Sequence, residues 1–257
     1  MRGFIGDLHI HTALSPCAGE EMTPPAIVAR ALKAGLDFIA ITDHNSAGNV
    51  GAVMEAARGT ILKVWPGLEV QTKEEVHLVC LFDSVEMALA WQDVVYKHMS
   101  QRGNIESILG TQLLLDARGE EKGREKRLLL QSASLSVEEV FEKVGLLGGV
   151  VIPAHVDRQA YSLLSVLGFI PPDLPIIALE ISRADNLEKI RSCTSLPHSF
   201  SFIASSDAHY LEDIGNFATC FYMHEVSFSE LRLALGGEGG RKVVMVQKAG
   251  KHFRVVE

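Results

Sequence analysis

Gly3-Phe4-Ile5-Gly6-Asp7-Leu8-His9-Ile10-His11 opens the chain as a short apolar run that ends on one acid and two histidines. In a strand successive side chains alternate faces, so His9 and His11, two apart, point the same way and offer two imidazole nitrogens to one cation. The same design returns along the chain. Thr42-Asp43-His44-Asn45 ends the apolar run from Phe38, Gly67-Leu68-Glu69 ends the run from Lys63, and His77 begins the run Val76 to Phe82. Pro153-Ala154-His155 ends the run from Gly149, and Ser206-Asp207-Ala208-His209 follows the run Phe200 to Ser205. Polar residues at strand ends are where barrel enzymes place their sites.

Between these runs lie amphipathic stretches, the pattern expected when buried parallel strands are covered by helices. Strands are expected at Gly3 to Leu8, Phe38 to Thr42, Lys63 to Leu68, Val76 to Phe82, Gly149 to Ala154, Ile176 to Glu180 and Phe200 to Ser205. Helices are expected at Thr23 to Ala34, Asn49 to Ala57, Ser84 to His98, Ser136 to Val144 and Ser227 to Leu235, with Thr23 and Ser136 as caps and Pro24 and Pro25 suited to a helix start. The rhythm breaks over 99–135, where Gln112 to Leu115 and Arg127 to Gln131 read as a hairpin around a charged turn. That insertion is expected to be a lid or an oligomer contact. Two short β-like runs, Lys242 to Gln247 and His252 to Val256, complete the tail.

The chain has 257 residues, 47% of them hydrophobic and 22% charged, as in a globular domain, and no apolar run approaches the roughly 18 residues of a membrane helix. One domain spanning 1–257 is the expectation. Met1 to Thr12 lacks the charged-then-apolar pattern of a leader, which favours a cytoplasmic location. Cys17, Cys80, Cys193 and Cys220 are scattered, without a Cys-x-x-Cys pair, and are expected to be reduced. A formal charge of −8 argues against long nucleic acid and for a small phosphorylated ligand. The basic stretch Lys122 to Arg127 sits beside Glu120, Glu121 and Glu125 and reads as a solvated turn.

The ordered motifs Asp-Leu-His-Ile-His-Thr, Ile-Thr-Asp-His-Asn, Gly-Leu-Glu with His77 after it, Pro-Ala-His-Val and Ser-Asp-Ala-His resemble those of the PHP family, named for polymerase and histidinol phosphatase. They run from residue 7 to residue 209. The resemblance implies an α/β fold, a distorted (β/α)7 TIM-like barrel, holding two or three divalent ions of zinc, manganese or iron. It places His9, His11, Glu69 and Asp207 on a first metal, with Glu69 bridging to a second held also by His77 and His155. A third would lie between Cys17, His44 and His209. Cys17 stands where trinuclear members carry histidine; a thiolate is a softer but competent ligand, and the competing reading is a small apolar residue in the Ser15-Pro16-Cys17 turn.

Asp7 and Asp43 sit one or two residues from ligand positions, where carboxylates commonly accept the free ring N–H of a metal-bound imidazole; for Asp43 a cap or turn role competes. His98, His198, His224 and His252 fall outside the motifs and read as non-ligands. Arg158 and Arg183 follow strand ends and could clamp phosphoryl oxygens, or else pair with Asp157 and Asp185 at the surface.

The expected activity is hydrolysis of a small phosphomonoester, such as histidinol phosphate, a nucleotide or a sugar phosphate, by a metal-bridged hydroxide. Glu69, Asp207 and His209 would be the catalytic groups. The alternatives are a PHP-type nuclease or nucleotide phosphodiesterase, and a catalytically silent metal-binding module. An amidohydrolase also opens on His-x-His but carries a bridging lysine where this chain has Glu69.

Overall fold

A computed structural model describes residues 1–193, 200–250 and 252–256; His198 and the Cys193 side chain lie outside this set. In chain order the first half comprises β1 (Arg2–Ile10), α1 (Pro24–Ala34), β2 (Phe38–Ile41), α2 (Val50–Ala56), β3 (Lys63–Gln71), β4 (His77–Leu81), α3 (Val85–His98), α4 (Glu106–Leu109), β5 (Leu113–Leu115) and β6 (Glu121–Arg124). The second half comprises α5 (Val137–Leu146), β7 (Val150–Pro153), α6 (Leu163–Leu167), β8 (Ala178–Ile181), α7 (Leu187–Cys193), β9 (Ser201–Ala204), β10 (Phe217–Met223), α8 (Phe228–Leu235), β11 (Lys242–Ala249) and β12 (His252–Val255).

The fold is α/β, built on a mixed eight-stranded sheet in the order β12-β11-β10-β1-β2-β3-β4-β7. Only β1, β2 and β3 pair in parallel within it. The step from β3 to β4 is an antiparallel hairpin, with Glu69 opposite Val79 and Gln71 opposite His77, because the turn around Thr72–Glu75 is too short for the crossover that a parallel neighbour requires. β7 runs antiparallel to β4, and β10, unforeseen from the sequence, runs antiparallel to β1.

The ring of strands is not closed by continuous hydrogen bonding, which corrects the expectation of a seven-stranded (β/α) barrel. β8 and β9 form a separate parallel pair that stands next to β7 on one side and β10 and β11 on the other. Single links replace a ladder there: Val156 N–H donates to the Glu180 carbonyl at 2.8 Å, and Ala204 N–H to Thr219 Oγ1 at 2.9 Å. The enclosure is completed by packing. One buried cluster takes Phe4 and Leu8 from β1, Phe38 from β2, Trp65 from β3, Ile152 from β7, Ala178 from β8, Ile203 from β9 and Phe221 from β10. Gly6 makes room for it, since a Cβ there would meet the Phe38 ring at 2.1 Å. A second cluster joins the outward residues of the sheet, such as Ile39 and Ile41, to α1, α2, α3 and α5.

Helix starts follow local chemistry. The Ser136 hydroxyl accepts from Glu139 N–H at 3.2 Å while the Glu139 carboxylate accepts from Ser136 N–H at 2.8 Å, a full capping box. Thr23 makes no side-chain cap bond, and there the start is set by Pro24 and Pro25. In the insertion the hairpin partner is Glu121–Arg124 rather than Arg127 to Gln131. Asp116 accepts from Arg118 N–H and Glu120 N–H at 2.8 and 3.0 Å, and Gly119 takes a φ of 83°, so the chain reverses early. The insertion is tied to the strand ends: Asn45 Nδ2 donates to the carbonyls of Leu129 and Gln131, and Asn49 Nδ2 to that of Leu113. Among the described residues no helix is long and apolar enough to cross a membrane.

Candidate metal centre

β1, β2, β3 and β7 deliver their C-terminal ends to one end of the molecule, and the β3–β4 hairpin turns the start of β4 back to that end. That reversal explains how His77, which opens a strand, meets residues that close them. Glu69 and His77 are diagonal neighbours across the hairpin, and His77 Nδ1 lies 2.9 Å from Glu69 Oε1. His155 Nε2 is 3.3 Å from the same oxygen, and His44 Nδ1 is 2.9 Å from Glu69 Oε2. His9 Nε2 stands 3.3 Å from both Glu69 and Asp207, and His11 Nε2 is 3.2 Å from Asp207.

Three sets of donor atoms each lie within 4.8 Å of one another: His9, His11 and Glu69; His44, Glu69 and His77; and His11, His44 and His209. His9 Nε2, His11 Nε2 and both Glu69 oxygens are buried with no hydrogen-bond partner among the described residues. Lone pairs and a carboxylate that converge without hydrogen bonds, in a site where Glu69 is 1% exposed, fit divalent cations.

Hydrogen bonds to the other ring nitrogens turn lone pairs toward this centre. Nδ1–H of His9 donates to Glu180 at 3.0 Å, Nδ1–H of His11 to Ser15 Oγ at 2.9 Å, and Nδ1–H of His209 to the Asp207 carbonyl at 2.9 Å. Each bond leaves Nε2 as the free donor. Ser15 Oγ passes its own proton to Asp43 Oδ1 at 2.7 Å, so Asp43 supports His11 through a hydroxyl and not directly.

Asp7, expected to accept a ring N–H, instead receives the backbone N–H groups of Ser206, Gly215 and His9 and holds the loop that carries Asp207. Glu180 does what Asp7 was expected to do. Its signal in the sequence was a lone acid at the end of the apolar run Ile176 to Glu180. Replacing Glu180 with Ala is expected to weaken cation binding 10- to 100-fold, roughly the effect of losing an orienting partner, as metal titration would show; an unchanged affinity would remove Glu180 from this role.

Burial pushes the Glu69 carboxyl up, but the charges of His77, His9 and His44 hold it well below the usual range. Burial works against protonation of His44, yet Glu69 and Cys17 push its pKa up to about 10. Cys17 faces His209 and His44; burial raises its thiol, but those two imidazoles bring it down to about 7. Cys17 therefore lies beside the set that contains His44 and His209.

Strained backbone gathers here as well. Of the five non-glycine residues with positive φ among the described residues, Asn45, His155, Tyr161 and Asp207 are in the loops of this centre. Arg158 NH1 is 2.7 Å from Asp207 Oδ2, at the rim. Arg183 is not brought in; it lies on the surface, 3.7 Å from Asp185. His98 bonds to the Val94 carbonyl on α3, and His224 and His252 lie at the ends of β10 and β12, all outside the cluster.

The PHP domain model matches residues 7–162 and the PHP-associated model residues 197–236. The chain belongs to the PHP family of metal-dependent phosphoesterases.

Its fold is similar to that of the lesion-specific endonuclease Q of Pyrococcus furiosus, with a TM-score of 0.67 and 23% identity over 94% of this chain and 58% of that one. An endonuclease Q complex with a 27-mer duplex carrying an abasic lesion at the active site matches with a TM-score of 0.65, 22% identity and the same coverage. In sequence, the chain is 35% identical over 82 residues to the 5'-3' exoribonuclease Rnm of Escherichia coli, covering 30% of this chain and 27% of that protein. It is also 29% identical over 128 residues to YqxK of Bacillus subtilis, an uncharacterized protein, covering 45% and 33%. The matched segments thus span about a third or less of these two curated relatives.

A formal charge of −8 does not make long nucleic acid unlikely, because a protein of this fold is seen holding a 27-mer duplex. Net charge sums the whole surface, whereas polymer binding depends on charge local to the site.

Proposed function

We propose that this chain is a metal-dependent phosphodiesterase acting on nucleic acid. The observation that carries phosphoester hydrolysis is the convergence of His9, His11, His44, His77 and His155 on a buried Glu69 without hydrogen-bond partners, with Asp207 set against His9 and His11. Nucleic acid, in place of a small monoester, is supported by the fold shared with endonuclease Q and by the segment similar to an exoribonuclease.

Divalent cations held there would supply a nucleophile from water near neutral pH and neutralise charge on the phosphoryl group. His9, His11, Glu69 and Asp207 would hold the first, Glu69, His77 and His155 the second, and His44, His209 and Cys17 a third. Glu180 and the Ser15–Asp43 pair fix the imidazoles in the required orientation. Arg158, at the rim, faces a phosphoryl oxygen once Asp207 is engaged in the centre.

The test is incubation of labelled single-stranded RNA, single-stranded DNA and lesion-bearing duplex DNA with the protein and Mn²⁺, with and without chelator. Chelator-sensitive cleavage of at least one polymer is expected. Intact polymers, alongside turnover of a small monoester, would replace this reading with that of a phosphatase.

A further inference from the structure

The loop between β7 and α6 presents an aromatic ring at the rim of the centre. Tyr161 stacks on His77 with ring centroids 4.8 Å apart and planes at 19°, yet the residue remains 45% exposed. One face of the phenol therefore covers a proposed cation ligand, and much of the rest is open. Its backbone sits at φ 57°, a conformation that side chains other than glycine's rarely adopt. The Tyr161 carbonyl accepts from His77 N–H at 2.9 Å, which pins that conformation to the first residue of β4.

The rest of the loop is fixed too. Asp157 accepts from Ser182 N–H, Ser182 Oγ and Asn186 Nδ2 at 2.7, 2.8 and 2.6 Å, and Ser162 Oγ donates to the Arg158 carbonyl at 2.8 Å. A strained position held by this many bonds, and occupied by a large exposed ring, marks a place where the ring itself is used. Tyr161 lines one pocket with His77, His155 and Arg158. That pocket combines a π face with a guanidinium, one imidazole away from Glu69. A phosphate ester joined to a flat aromatic group fits both features, and nucleotides have that form.

We infer that Tyr161 is a specificity-determining residue on which the nucleobase flanking the scissile phosphate stacks. This rests on the nucleic-acid reading above. Stacking of one base on an aromatic side chain tolerates any base, so the preference is for a base over none, not for one sequence.

The experiment measures equilibrium binding of a non-hydrolysable phosphonate-linked dinucleotide and of its abasic counterpart to the metal-loaded protein, with Tyr161→Gly and Tyr161→Phe alongside. Glycine accepts the positive φ and keeps the loop, and phenylalanine keeps the ring. The native protein and Tyr161→Phe are expected to favour the base-bearing ligand by about tenfold or more, and Tyr161→Gly to bind the two alike. A preference that survives in Tyr161→Gly, or equal binding of both ligands by the native protein, overturns the inference. Equal weakening of both ligands in Tyr161→Gly also overturns it and leaves the ring as a shield for His77. Diester cleavage on polymers is scored separately. Its absence with the base preference intact would sink the proposed function alone, and failure of the native protein to bind either ligand would sink both.

Discussion

Glu69→Gln is expected to lower phosphoester hydrolysis on the order of 10³-fold while the protein stays folded. Glutamine keeps the size of the side chain and one acceptor oxygen, but it removes the charge that His9, His44 and His77 surround and puts an N–H donor where cations would sit. Glu69 would serve two cations, so its loss would affect both. Charge stabilisation of this kind amounts to several kcal/mol, and about 1.4 kcal/mol is a tenfold change in rate. Metal content should fall in parallel. A variant that keeps more than a tenth of the native rate would show that Glu69 does not organise the site.

Removing cations is expected to lower the thermal midpoint by about 10 °C for each site emptied. Binding at a thousandfold excess over Kd adds about 4 kcal/mol per site, and 1 kcal/mol moves the midpoint of a chain this long by roughly 2–4 °C. The chelated protein should nonetheless remain folded, because Glu180, Asp207 and Glu69 raise the pKa of His9 against the burial that lowers it, giving the acids a charged partner.

In the chelated protein the raised pKa of His44, about 10, contributes stability that is fully present below the ordinary histidine value of 6.5 and is lost as pH rises through 10. Cations compete with those protons, so binding tightens as pH rises. The gap between the melting curves of metal-loaded and chelated protein should therefore widen from pH 6 to pH 8. Superimposable curves with metal bound would contradict the proposed burial of cations at Glu69.

Most of the site could be read from the sequence, because strand ends announce themselves: an apolar run stops on Asp, His or Glu. His9 and His11 show the limit of that logic in its favourable form, since period-two spacing alone aligns them. His77 shows the opposite. Its position at the start of a run would put it at the wrong end of a parallel barrel, and only the short Thr72–Glu75 turn, which forbids a crossover, reveals that β4 runs backwards. The same turn explains why the strands are not all parallel, as a regular (β/α)7 barrel would require.

Glu180 takes the orienting role expected of Asp7 for a reason that no local spacing contains. His9 Nδ1 points away from its own strand toward β8, 171 residues further on. Arg158 and Arg183 looked equivalent as arginines after strand ends, yet one reaches Asp207 and the other stays with its neighbour Asp185. What sets Tyr161 apart is a backbone angle and a ring contact, neither of which has a sequence signature.

The most direct test is the ratio of kcat/KM for a dinucleotide phosphodiester to that for the matching nucleoside monophosphate, measured with Mn²⁺, Zn²⁺ and Fe²⁺ on the native protein and on Glu69→Gln. A ratio well above one is expected with at least one metal, together with loss of the diester activity in Glu69→Gln. Turnover confined to the monophosphate would contradict the phosphodiesterase reading.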